Sequence, residues 1–126
     1  MAYPLATTLA EKLETVISRD VSNTRPRDYY DLYMLWLMRR RDVKSGVLKA
    51  ALVATSENRG TAVSMDNYRE VMKRVCADDN MLGQWKAYAY RYPYVEALTL
   101  SKTCETVVEI METIGWKSIT TDRRVL

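Results

Sequence analysis

Apolar residues recur three and four positions apart along almost the whole chain, a period that belongs to α-helices rather than to strands. Leu9, Leu13, Val16 and Ile17 form one such stripe and predict a first helix from about Leu5 to Arg19, with Pro4 suited to its first turn. Asp20 to Thr24 is a polar break, and Pro26 restarts a helix, since proline is tolerated at the first helical position. In this second helix Tyr29, Tyr30, Leu32, Tyr33, Met34, Leu35, Trp36, Leu37 and Met38 cover every face. A helix apolar all round is normally buried, so it is expected at the centre of the fold. Arg39-Arg40-Arg41 should end it, where positive charge suits the helix dipole.

Val43 to about Ser56 reads as a smaller helix with an alanine-rich face of Val47, Leu48, Ala51 and Leu52, and Gly60-Thr61 as a loop. Tyr68, Val71, Met72 and Val75 make the next stripe, with Ser64 as its expected cap. Met81, Leu82, Trp85, Tyr88, Ala89 and Tyr92 make another. Pro93 is expected to open the longest helix and Gly115 to close it. Its seam of Ala97, Leu100, Cys104, Val107, Met111 and Ile114 packs either into the chain's own core or against a second copy. Only four glycines and three prolines occur in 126 residues, which disfavours an all-β fold rich in tight turns. The expectation is an all-α bundle of about five to six helices, a single domain over residues 1–116, and a flexible tail over residues 117–126.

The residue inventory removes several chemistries. There is no histidine, so a Cys/His zinc site and every histidine-dependent acid–base scheme are excluded. Cys76 and Cys104 are distant in sequence and read as reduced, buried small hydrophobes, as in a cytoplasmic protein. Glu11, Lys12 and Glu14 break the early apolar pattern that a signal peptide would need, and no uncharged run is long enough to span a membrane. A net charge of +3 permits contact with phosphates without requiring it.

Charge is concentrated where the first two helices meet. Lys12 and Arg19 are seven residues apart and share a face, while Asp28, Asp31, Leu35 and Met38 share a face of the second helix. Helices joined by so short a loop usually lie antiparallel and touch. Lys12 then sits about 10 Å along the first helix from Arg19, within reach of aspartates in the opening turns of the second. Two readings stay open on spacing alone. One is an ion-pair network that locks the hairpin. The other is a site in which lysine and arginine hold phosphates and a carboxylate handles an acceptor hydroxyl.

The residues go further than their spacing. Ala10-Glu11-Lys12-Leu13, then Arg19, then Arg25-x-Arg27-Asp28-x-x-Asp31-Leu32 resembles the second half of the AbiEii/AbiGii toxin family of nucleotidyltransferases. These are abortive-infection (phage-defence) and toxin–antitoxin proteins with a polymerase-β-like core. Order and spacing match over about residues 3 to 40; Arg27 stands where the family more often has lysine. The resemblance implies a helical lobe that closes over a nucleoside triphosphate. By that analogy Lys12 contacts phosphate and Asp28 acts on the acceptor hydroxyl or orients Lys12. Arg19, Arg25 and Arg27 bind substrate as supporting cations, with Glu11 and Asp31 behind them. Magnesium and a nucleoside triphosphate are implied for the intact enzyme.

Such enzymes also need a Gly-Ser turn and an Asp-x-Asp or Asp-x-Glu strand for two magnesium ions. The sequence contains neither, and the adjacent Asp78-Asp79 point to different faces. No metal ligand or cofactor is therefore assigned to this chain. The metal-binding half is expected upstream of Met1, as in a truncated gene product, an excised domain or a split subunit, and the chain alone is expected to be inactive. The expected partners are that missing lobe, a cognate antitoxin and an RNA acceptor, with no membrane. The alternative is a stand-alone helical module that binds an antitoxin or pairs with itself as a homodimer. Two further features remain open. Tyr88, Tyr90, Arg91, Tyr92 and Tyr94 are either core or a stacking surface for single-stranded nucleic acid, and Arg39 to Arg41 with Lys44 are either a helix-end charge cluster or an RNA-phosphate contact.

Overall fold

A computed structural model describes residues 4–22 and 25–117. Every regular element in them is helical: α1 (Leu5–Arg19), α2 (Pro26–Arg39), α3 (Ser45–Asn58), α4 (Ala62–Met65), α5 (Tyr68–Ala77), α6 (Asp79–Arg91) and α7 (Leu100–Thr113), with single 3-10 turns at Asp20–Ser22, Arg40–Asp42 and Pro93–Val95. The all-α expectation holds, and the one-turn α4 is the element the apolar pattern was too short to announce. The expected tail lies outside the described residues, apart from Lys117.

One core runs through the bundle. Leu9, Leu13, Val16 and Ile17 of α1 meet Leu48 and Leu52 of α3, Tyr29, Leu32 and Trp36 of α2, and the α5 and α7 stripes. Helix α1 packs most extensively on α3, while α7 lies between α5 and α2. The α7 seam is buried from Leu100 to Ile114, within the chain's own core; Ala97 precedes the helix and is exposed. Gly115 closes α7 as expected. At φ +76° it takes the left-handed conformation, and the amides of Gly115 and Trp116 donate to the carbonyls of Glu112 and Met111.

Three expectations fail for local reasons. Pro93 opens only a 3-10 turn; α7 starts at Leu100, where the Thr99 hydroxyl caps the Lys102 amide at 3.1 Å. Ser64 does not cap α5, because it is absorbed into α4 and Asn67 takes the N-cap position. Helix α2 is not central. It buries Pro26, Asp28, Tyr29, Leu32 and Trp36 on one side and leaves Leu37 57% and Met38 70% exposed. Its aromatic and sulfur-rich composition therefore exceeds what the core uses.

Candidate functional site

Helix α1, the start of α2 and the turn after α3 enclose a polar cleft of about 580 Å³. Glu11, Lys12, Glu14, Thr15, Ser18 and Arg19 come from α1, Arg25 from the N-cap of α2 and Asp28 from its first turn, and Arg59 and Thr61 from the turn after α3. Five of the seven residues singled out from sequence (Glu11, Lys12, Arg19, Arg25 and Asp28) thus share one cleft. Arg27 and Asp31 lie beside it rather than in it.

Ion pairs join the hairpin at its edge. Lys12 Nζ donates to Asp31 Oδ2 at 3.2 Å, and Arg27 Nε lies 3.8 Å from the same oxygen. The carboxylate bonded to Lys12 is therefore Asp31. Lys12 also borders a second, more apolar depression of about 440 Å³ formed with Asp31, Met34, Leu35, Met38 and Arg39. Its ammonium stands where the polar cleft and this apolar groove meet. Surface pairs of this exposure contribute little stability, so the Lys12–Asp31 bond fixes geometry more than it holds the fold.

Asp28 has a different environment. It follows Pro26 and Arg27 in the first turn of α2, where its charge favours the helix dipole. It is 8% exposed, and its Oδ2 has no hydrogen-bond partner. The closest cation is Arg25, with Nε at 3.9 Å, a charge contact too long to be a hydrogen bond. A buried carboxylate oxygen left in that state is costly, and it borders the cleft. Behind it Tyr29 is packed into the core with its hydroxyl 3.5 Å from the Val16 carbonyl. Burial pushes the Tyr29 hydroxyl far above the usual tyrosine range, reinforced by Cys104, Asp20 and Asp28, so it stays neutral.

The far wall was not anticipated from sequence. Gly60 at φ +71° turns the chain after α3 through the same left-handed closure seen at Gly115, with Gly60 and Thr61 amides donating to the carbonyls of Glu57 and Ser56. The turn brings Arg59 and Thr61 onto Glu14: Arg59 Nη1 donates to Oε1 at 2.6 Å and Thr61 Oγ1 to Oε2 at 3.0 Å. Glu14 is 4% exposed, so the pair ties α1 to the turn. A signal did exist. Glu14 lies four residues after Ala10 and three before Ile17, on the buried face, where a carboxylate must have a partner.

The cleft thus gathers four cations, Lys12, Arg19, Arg25 and Arg59, against three carboxylates, Glu11, Glu14 and Asp28, one of which is committed to Arg59. Nitrogen donors from two helices and a turn suit an anion such as a phosphate chain. Among the described residues no three carboxylates or thiols converge as metal ligands. Of the arginine run, Arg39 pairs with Asp42 at 2.7 Å and Arg40 with Glu109 at 3.2 Å. No helix among the described residues is long and apolar enough to cross a membrane.

Comparison with known proteins yields one family. Residues 1–112 match the family described as nucleotidyl transferase AbiEii toxin, type IV toxin–antitoxin system. Neither the curated proteins nor the solved structures give a match. The match covers the hairpin, the turn that completes the cleft and nearly all of α7, so the chain belongs to the AbiEii nucleotidyl transferase toxin family.

Proposed function

We propose that the cleft is one half of a nucleotidyl-transfer site, on a helical lobe that binds the phosphates of a nucleoside triphosphate. The observation that carries this reading is the grouping of Lys12, Arg19, Arg25 and Arg59 around Asp28, a buried carboxylate with an unused oxygen. In the transfer, an acceptor hydroxyl oxygen bonds to the α-phosphorus while the bond to the β-phosphate bridge breaks and pyrophosphate leaves. Asp28 accepts the proton that the hydroxyl gives up. Lys12, held by Asp31, and the arginines offset charge on the phosphates, which is the main task in phosphoryl chemistry. Glu11 stays at the rim, and Arg27 supports Asp31 from outside.

The metal-binding carboxylates come from a second lobe outside these 126 residues, because this sequence lacks the Asp-x-Asp or Asp-x-Glu pair. The chain alone therefore binds triphosphate and transfers nothing. Incubating it with α-labelled nucleoside triphosphates, magnesium and transfer RNA should leave the label on the nucleotide, and robust transfer would refute the two-lobe reading. In the same preparation Lys12→Ala should weaken triphosphate binding at least tenfold with unchanged helical content. Unchanged binding removes Lys12 from its role.

A second reading, a stand-alone module that binds an antitoxin or pairs with itself, is favoured by the exposed Leu37 and Met38 of α2. Apolar surface beside a polar rim is a common mark of an interface. Sedimentation separates the two readings: a stable dimer that dissociates on Met38→Asp supports this one, and a monomer supports the lobe.

A further inference from the structure

We propose that the tyrosines at the end of α6 form a stacking platform for single-stranded nucleic acid, separate from the cleft and independent of the transfer reading. Four rings close into a cycle. Tyr88 and Tyr92 are 5.1 Å apart between centroids, Tyr92 and Tyr94 5.9 Å, Tyr94 and Tyr30 5.5 Å, and Tyr30 and Tyr88 6.3 Å. Trp85 backs Tyr88 at 5.8 Å, and its indole N–H donates to the Leu98 carbonyl, which anchors the cycle in the fold. The inner rings, Tyr30 and Tyr88, are half-buried; of the outer ones Tyr92 is 36% and Tyr94 65% exposed.

Core packing accounts for the inner half only. Rings kept in solvent with fixed neighbours present flat faces that any base can stack on. Their surroundings select the partner. The Arg91 guanidinium sits 5.7 Å over the Tyr92 ring, and no acidic residue occurs from Lys86 to Val95. On the α2 side Asp31 and Arg27, paired with each other, both lie within electrostatic range of the Tyr88 hydroxyl, and Arg27 is mostly exposed. Exposed aromatic faces with the Arg91 cation over one of them match a chain of bases and phosphates. A protein hot spot would instead centre on a fully desolvated ring, whereas Tyr94 is 65% exposed. Arg27 also pairs with Asp31, so the platform adjoins the edge of the polar cleft.

The test is fluorescence anisotropy of the full chain with labelled twelve-residue oligouridine, oligothymidine and a duplex of equal length, at two salt concentrations. Single strands should bind more tightly than the duplex. Tyr94→Ala and Tyr92→Ala should each weaken binding about tenfold, while Tyr94→Phe, which keeps the ring, should retain it. Arg91→Ser should lower the salt dependence by about one counterion. Tyr90 is 91% exposed but outside the cycle, and Tyr90→Ala should matter least. Equal affinity for the two single strands assigns recognition to stacking, and tighter RNA binding adds the 2′-hydroxyl; both support the platform. Absence of oligonucleotide binding, duplex binding as tight as single-strand binding, or unchanged affinity in both alanine variants with native circular dichroism overturns it.

Discussion

Helix α7 buries its apolar seam from Leu100 to Ile114, whereas α2, richer in large apolar side chains, leaves two of them exposed and carries a buried carboxylate with an unused oxygen. Both helices are 14 residues long and pack against each other. On α7 composition and environment agree, and each apolar residue is explained by a neighbour. On α2 they disagree twice, with apolar surface in water and charge out of it. Where local sequence and surroundings conflict, stability is not the selected property, and function is the place to look.

The largest expected effect tests the half of that contrast that is purely structural. Ile110 is fully buried in the seam, and Ile110→Ala should lower unfolding free energy by about 3 kcal/mol in urea titration, from lost transfer energy and the cavity left behind. Met38→Ala on α2 should cost less than about 0.5 kcal/mol, as for other exposed sites. Comparable losses at both positions would mean that α2 is covered in solution, and the contrast would then be between two interfaces.

The same contrast explains what could be read from sequence. Period three-and-four placed α1, α5 and α7 because their burial is one-sided and continuous. It misplaced α2, because an all-apolar helix can equally be a core helix or a helix with an unfilled face. It missed α4, whose single turn has no period, and it extended α7 back to Pro93 because a proline marks a start without saying what kind of helix follows. In the cleft, residues of one hairpin were legible, since Lys12 and Asp28 are brought together by neighbouring helices. Arg59 was not. Its place depends on the left-handed turn at Gly60, and its pairing with Glu14 spans 45 residues.

A smaller effect, at alkaline pH, tests how dry the closed side is. Burial pushes the Cys104 thiol on α7 from 9.0 up to about 12, and burial drives the Tyr29 hydroxyl higher still. For an acid whose folded pKa is raised, stability is intact below the unfolded value and is lost as pH climbs toward the folded one. Unfolding free energy should thus hold to about pH 9 and then fall, by about 1 kcal/mol from Cys104 at pH 10. Cys104→Ala should flatten the first part of that decline and Tyr29→Phe the later part, read by chemical denaturation at fixed ionic strength. A profile flat to pH 11 would show that solvent reaches the α5–α7 interface.

The smallest effect bears on Asp28. If the carboxylate were a structural element, removing its charge would cost what a buried, paired ion costs, several kcal/mol. Its surroundings argue otherwise. Oδ2 lacks a hydrogen bond, Arg25 stands off at 3.9 Å, and the remaining benefit is a helix-dipole interaction of about 0.3–1 kcal/mol. Relief from burying an unsatisfied charge acts in the opposite direction. Asp28→Asn, nearly isosteric, should therefore leave unfolding free energy within about 1 kcal/mol of the parent, while Leu32→Ala one turn later costs about 3 kcal/mol. If Asp28 is the proton acceptor proposed above, the same Asp28→Asn protein supplied with the second lobe should lose transfer and keep triphosphate binding, because the cations remain. A loss of stability above 2 kcal/mol would make Asp28 part of the hairpin lock and leave the cleft without its base.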